Sequence, residues 1–526
     1  MSFIIVPQIV TSDTIMIWVA AIGEKVREME ISIDYREIAN KTAKFDEESL
    51  STSEWRMWRT RQVLDGDKRG GGIPEEQNSV IYYQRVTIGT RKPLKPGTKY
   101  LFKVMFAAPG TTIPTRRLVG SMQDFSRRKY LYVKKIETDQ WDKAVATATT
   151  LPTKLPTLTD PKPFTVMLGS CFYRPGDPHG LAGKVFYEIP PKSQPNLKIL
   201  CGDQVYLDNP WEETTLNLLW TLRSKEHLRQ LFVKKYLQKW TQMAPMKDGD
   251  KWATGGFNVL LRHGANYFAS DDHEFWNNAP NWGAVASAIT FLLRQKRFLF
   301  QQGADLFRVF QSPTPWTTFD VPPISFCIAD TRVNRNVGRL RFMENDDLDA
   351  IGHWISNLKG PGVLSLGQPV LAKKSTVFGY FFDRGLADYG SKFKYLKQII
   401  SQSKYSIVLL TGDVHFGRYA ECELRKPMPG ETTVPKFVEV ISSPMRIVDG
   451  FWGKGKINGY EDAYDTFGTG IIESMELARH HNHFVTLEFT QDTLGVVSMG
   501  VWEWPIPDKK HDLARKGRLR KTVELT

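Results

Sequence analysis

The stretch SDDHEFWNN, residues 270 to 278, sets Asp271, Asp272, His273 and Glu274 in one unbroken row. Neighbouring acids repel one another unless a cation or a dense set of hydrogen bonds holds them. Four other short segments carry similar side chains. They are Gly169-Ser170-Cys171, Gly202-Asp203 followed by Tyr206 and Asp208, Asp330-Thr331-Arg332 followed by Arg335, and Gly412-Asp413-Val414-His415. Cys171, Asp203, Tyr206, Asp272, Asp413 and His415 offer mostly oxygen, with one nitrogen and one sulfur, which is a metal-binding donor set. A single Gly-Asp after a strand is more often a turn, and a single histidine more often a core or cap residue. Together, the crowded acids read as the wall of a polynuclear metal site.

Each segment follows a short apolar run: FTVML, LKILC, ANYFA, ISFCIA and SIVLLT. Helical stretches around 211–240, 281–310, 345–358 and 389–403 lie between them. Continuous apolar strands separated by helices predict an α/β domain with both sheet faces covered. Ligands in such domains bind beyond the carboxyl ends of the strands, so the five polar segments are expected on one edge of one sheet. Cys201 and Cys327 fall inside strand bodies and read as core, whereas Cys171 lies past a strand end. His353, in DDLDAIGHWISNL, reads as a helix-face residue.

Up to residue 155 the pattern is all-β. TIMIWVA and EISIDY alternate as strands, and SVIYYQRVTI follows a charged loop containing RGGG. In LKPGTKYLFKV, residues 94–104, Pro-Gly makes a turn and Tyr100 stands where a tyrosine corner closes a β-sandwich of the immunoglobulin or fibronectin type III kind. The Thr- and Pro-rich stretch 147–163 reads as a linker. The expected organisation is a sandwich over 1–155, a linker boundary at 156–163, a catalytic-type domain over 164–505 and a basic tail over 506–526. HFVTLEFT and LGVVSMGVWEW read as a closing hairpin, and the tail as a solvated or frayed end.

The 526 residues carry 70 Lys plus Arg against 57 Asp plus Glu, a basic balance that favours anionic partners only as a general field. No aromatic-basic module for nucleic acid is visible, so no stable nucleic-acid complex is expected. The four cysteines form no C-x-x-C pair and no disulfide framework. No apolar run reaches the roughly 18–20 residues of a membrane span. The N-terminus reads as a strand pair without a secretory or twin-arginine signal, so the expected location is cytoplasmic. Trp55 and Trp58, among several arginines, read equally as a binding surface or as sandwich-edge packing.

The ordered set G-S-C, G-D-x-x-Y, D-D-H-E-x-x-N-N, D-T-R and G-D-V-H resembles the PhoD-like alkaline phosphatases and phosphodiesterases, a branch of the calcineurin-like metallophosphoesterases. The resemblance covers nearly the whole chain, since an N-terminal β-sandwich is typical there. It implies α/β/β/α layers, with β-sheets flanked by helices, behind an Ig/fibronectin-III-like sandwich. It also implies that Asp203 bridges two metals, that Tyr206 and Cys171 ligate ferric iron, and that Asp272, Asp413 and His415 complete the ligands. His273 takes the place of the catalytic histidine, and Arg332 and Arg335 match an arginine motif near the phosphate. The implied cofactor is a di- or polynuclear centre of Fe³⁺ plus Ca²⁺, with Mn²⁺ or Zn²⁺ as alternatives. Three departures stand out: the export signal common in the family is absent, its lone histidine ligand has no match, and Asp413 replaces a histidine, which favours hard cations.

The expected activity is hydrolysis of small-molecule or polymeric phosphate esters by a metal-bridging hydroxide. His273 protonates the leaving group, and Arg332 or Arg335 steadies the phosphoryl charge. Asp271 and Glu274 read as groups that orient His273 or a ligand, and Asn277 and Asn278 as loop residues. The alternative is a catalytically inactive metal- or phosphate-binding module whose sandwich serves assembly. Mono- against diester preference and oligomeric state are not encoded in any motif.

Overall fold

The computed structural model describes residues 2–22, 30–38, 56–63, 65–67, 81–107, 145–207, 225–243, 255–276, 279–280, 293–336, 338–374, 385–427, 429, 434–446, 462–478, 481–507 and 517–526. Asp208, Asn277, Asn278, Trp55 and the RGGG loop lie outside the described residues, as do 211–224 and 281–292 of the expected helices and the side chain of Trp58.

The N-terminal strands are β1 (Ser2–Val10), β2 (Ile15–Ile22), β3 (Glu30–Glu37), β4 (Arg56–Val63), β5 (Asp65–Asp67), β6 (Ile81–Ile88), β7 (Lys99–Ala107) and β8 (Val145–Thr149). They form two four-stranded antiparallel sheets, ordered β1-β2-β6-β5 and β4-β3-β7-β8. Ile17 and Val86 of one sheet share a core cluster with Ile33, Phe102 and Ala146 of the other. Tyr100 closes its corner as expected: its hydroxyl accepts the Lys95 N–H at 2.9 Å. The stretch expected to be a linker begins inside β8. Val145, Ala146 and Ala148 are buried there, and the strand pairs with β7, so apolar burial overrides the Thr-rich composition.

Strands β9 (Phe164–Gly169), β10 (Leu197–Cys201) and β11 (Ala265–Ala269) run parallel. Beyond them come β12 (Trp316–Val321), β13 (Ile324–Ala329), β14 (Gly362–Ser365), β15 (Ile407–Thr411), β16 (Arg418–Glu423), β17 (Lys436–Ile441) and β18 (Ile471–Glu476). The chain closes with β19 (His483–Gln491), β20 (Val497–Pro505) and β21 (Arg518–Leu525). Contrary to the expectation of one sheet edge, these strands divide between two sheets, a six-stranded β11-β10-β9-β19-β20-β21 and a seven-stranded β12-β13-β14-β15-β17-β16-β18. The reason is apolar matching: the strands that lead into the polar segments, β9, β10, β11, β13 and β15, are buried along almost their whole length. Val166, Leu168 and Ile199 meet Phe326, Val363 and Val408 in one cluster. Met167 and Leu200 instead join residues of the helices Leu181–Glu188, Lys225–Trp240 and Leu293–Phe310. Leu364 and Leu409 join the helices Asn345–Ser356 and Gly390–Ser401. His353 is exposed on its helix, as read from the sequence.

The basic tail also departs from the expectation of a frayed end. Its last residues form β21, paired antiparallel with β20 along the closing hairpin β19–β20. Val523 and Leu525 are buried while Arg518 and Arg520 face outward, so a period-two apolar pattern was present beneath the charge. The backbone of Thr526 exchanges hydrogen bonds with Ser406. Among the described residues, no helix is long and apolar enough to cross a membrane.

Candidate metal centre

Where β9, β10, β11, β13 and β15 end, the backbone turns abruptly. Five non-glycine residues among those described have a positive φ: Cys171 (54°), Asp203 (59°), Arg339 (59°), Asp413 (66°) and His415 (50°). Four of the five are sequence-predicted ligands. Left-handed backbone is disfavoured outside glycine and persists where the surroundings over-determine it, commonly at functional sites. Glycines precede two of these four ligands, Asp203 and Asp413. A Cβ on Gly202 would stand 2.5 Å from the Asp271 Cβ, and one on Gly412 would stand 2.3 Å from the Ser170 side chain, so only glycine admits this close approach of loops.

The turns bring the donors together. Cys171, Asp203 and His415 offer ligand atoms that lie within 4.8 Å of one another. The same holds for Asp203, Asp272 and His273, and for Asp271, Asp272 and Asp413. The three sets overlap through Asp203 and Asp272, which makes a contiguous cluster. Tyr206 adjoins it, with its hydroxyl 3.4 Å from His415 Nε2. Its ring lies 4.2 Å, centroid to centroid, from that of His273.

Burial decides the electrostatics. Desolvation first, then repulsion from Asp203 and Asp413, pushes the Cys171 thiol well up. Desolvation also raises Asp203 and Asp413 well above the usual carboxylate range, with neighbouring aspartates adding to it. The Tyr206 phenol is raised by the same burial and by Cys171 and Asp203. Burial lowers His415 to about 4, which leaves an imidazole lone pair free near neutral pH. A cation would reverse the cost of ionising these oxygens and the sulfur. The carboxylate oxygen Asp271 Oδ2 is buried without a protein partner. These residues fit bound cations.

Asp271 therefore differs from its sequence reading: besides orienting neighbours it offers an oxygen to the cluster. Its other oxygen is held by the guanidinium of Arg332, with both side chains only 1% exposed. Arg332 also donates to the Ala279 carbonyl at 2.6 Å. Arg335 donates to the Thr331 carbonyl at 2.9 Å and to Gln368 Oε1 at 3.0 Å. Both arginines are buried and engage the protein's own carboxylate, amide and carbonyls. Glu274 accepts backbone N–H groups of Asp203 and Asp271 at 2.9 Å and of Gln204 at 2.8 Å, so it ties the two acidic loops to each other. Asp330 does the same between β11 and β13, accepting from Ser270 and from the backbone of Arg332 and Val333.

Two contributors were not read from the sequence. Gln368, in SLGQPV, donates to Asp413 Oδ2 at 3.0 Å. Its position at the end of β14 was the available signal, since every neighbouring strand end was polar. Ser443 donates to Cys171 Sγ at 3.2 Å and accepts the His415 N–H at 3.0 Å. No pattern in ISSPM marks it.

No family model and no curated protein matches the chain. A solved structure described as "Structure of PhoD" is similar to it, with a TM-score of 0.56 and 12% sequence identity, over 99% of this chain and 89% of that one. At this identity the likeness is one of fold. The chain has a PhoD-like fold over nearly its whole length.

Proposed function

We propose that the protein is a metal-dependent phosphoric ester hydrolase. The observation that carries the reading is the overlap of three donor sets through Asp203 and Asp272. Cys171, Asp203, Tyr206 and His415 would hold one cation, and Asp203, Asp272 and Asp413, with Asp271, the neighbouring one or two. The oxygen-rich part suits hard cations such as Ca²⁺ or Mn²⁺, and the Cys171–Tyr206–His415 part suits Fe³⁺. When bound, the cations supply charge neutralisation, polarise phosphoryl oxygens and lower the pKa of water.

The chain's own groups do the rest. His273 is half-buried beside Asp203 and Asp272, and its backbone N–H donates to Asp203 Oδ1 at 3.1 Å. That holds the main chain of the turn, and the ring lies against Tyr206, 4.2 Å between centroids, where it can deliver a proton to a leaving alkoxide. Arg332 acts as a positioning residue through Asp271, and Arg335 through Gln368. The strand orders β1-β2-β6-β5 and β4-β3-β7-β8, with the Tyr100 corner, support an immunoglobulin-type sandwich. The three core clusters support α/β/β/α layers behind it.

The test compares initial rates on an aryl phosphate monoester and diester for the parent, Asp203→Asn and chelator-treated protein. Turnover by the parent alone supports the hydrolase, and the ratio of rates identifies the ester class. An inactive metal-supplied parent, or an Asp203→Asn variant as active as the parent, replaces it with the binding-module alternative.

A further inference from the structure

The helix Leu293–Phe310 ends against the N-terminal sheets, and its last carbonyls find partners there. A helix leaves its final four carbonyls without intrahelical donors. Arg85, on β6, donates through one terminal nitrogen to the carbonyls of Arg308 at 2.7 Å and Val309 at 3.0 Å. Gln8, on β1, donates to those of Phe310 at 3.1 Å and Gln311 at 2.9 Å. Arg85 Nε also donates to Gln8 Oε1 at 2.9 Å, which fixes the amide in the donating orientation. The Trp18 and Phe310 rings meet at 5.2 Å beside this cap.

Earlier along the same helix, its side chains bear on the acidic turn. Phe300 stacks on Phe275 at 4.5 Å. Gly303 lies so close that a Cβ there would stand 2.7 Å from the Glu274 carbonyl. Just past the helix, Gln311 Nε2 donates to Glu274 Oε1 at 3.4 Å. Glu274 in turn holds the backbone of Asp203, Gln204 and Asp271.

We propose that the N-terminal sheets are a positioning element of the candidate metal centre: Gln8 and Arg85 cap the Leu293–Phe310 helix, and that helix sets the Glu274 brace beneath Asp203 and Asp271. Gln8, Arg85 and Gln311 are positioning residues that act at a distance through Glu274. The metal-affinity part of the inference rests on the reading of the cluster as a cation site. The bracing part does not.

The test uses full-length protein carrying Gln8→Leu, Arg85→Ala or Arg85→Lys, with Val104→Ala as a control. Val104 is buried in the N-terminal core on β7, so its truncation destabilises those sheets without touching the cap. Amide hydrogen exchange of metal-free protein, well below the unfolding midpoint, is followed at residues 203–205 and 271. Exchange there is expected to rise about tenfold in Gln8→Leu and Arg85→Ala, and to stay near the parent in Val104→Ala and Arg85→Lys. Mn²⁺ affinity, from competition with a chelating dye, is expected to fall about tenfold in the same two variants only. Unchanged exchange in Gln8→Leu and Arg85→Ala, or an equal rise in Val104→Ala, overturns the proposal. A parent that binds no Mn²⁺ overturns the cation-site reading, while the exchange data still decide the brace.

Discussion

The guanidinium of Arg332 closes on the carboxylate of Asp271 where β13 and β11 end, and both side chains are almost wholly inaccessible. A buried pair of this kind contributes little net stability while intact, but breaking it from one side leaves an uncompensated charge.

Arg332→Met should therefore destabilise the metal-free protein by about 3–5 kcal/mol. Adding Asp271→Asn should recover part of that loss. Urea unfolding of the two single variants and the double variant measures the coupling. Strict additivity would show that the pair is not an energetic unit.

Gln368 lies between Asp413 and Arg335, with 3.0 Å hydrogen bonds to each. Gln368→Leu preserves most of the volume and removes both bonds. Metal affinity should fall about 10- to 100-fold, because ligands without their supporting hydrogen bonds lose orientation. Chelator competition reads this directly, and parent-like affinity would exclude Gln368 from the site.

Burial holds Cys171, Asp203, Asp413 and Tyr206 on the protonated side of their ordinary ranges. Loading cations into metal-free protein at neutral pH should then release protons, on the order of one or more per chain. Calorimetric titrations in buffers of different ionisation enthalpy give the number. Binding heats that do not vary with the buffer would contradict the protonated starting state.

His483 is lowered to about 4 by burial, and its Nε2 has no hydrogen-bond partner. A depressed histidine favours the neutral form in the fold. Its contribution is intact above the unfolded pKa near 6.5 and is lost as pH falls from there towards 4. The full shift corresponds to about 3 kcal/mol. Denaturant midpoints between pH 7 and 4 should fall less steeply in His483→Phe than in the parent. Parallel acid limbs would show that His483 is not a source of the loss.

The donor cluster was legible in the sequence because each of its parts is local. Gly202-Asp203, Asp271 to Glu274 and Gly412 to His415 each sit directly after an apolar strand, and side-chain type plus strand end suffices to mark them. The Tyr100 corner was legible for the same reason, since its turn and the Lys95 N–H that donates to its hydroxyl lie within a few residues. Tertiary structure alone decided how the strands divide between two sheets, because identical apolar runs fit one sheet or two until their opposing faces are matched. It also decided that Asp271 faces the cluster with one oxygen and Arg332 with the other, that Gln368 reaches Asp413, and that β21 is a strand beneath its charge. Those outcomes join residues tens to hundreds of positions apart. Nothing in the local pattern around Gln8 and Arg85 predicts that they finish a helix ending at Phe310, since the partner carbonyls exist only once the sheets and the helix have packed.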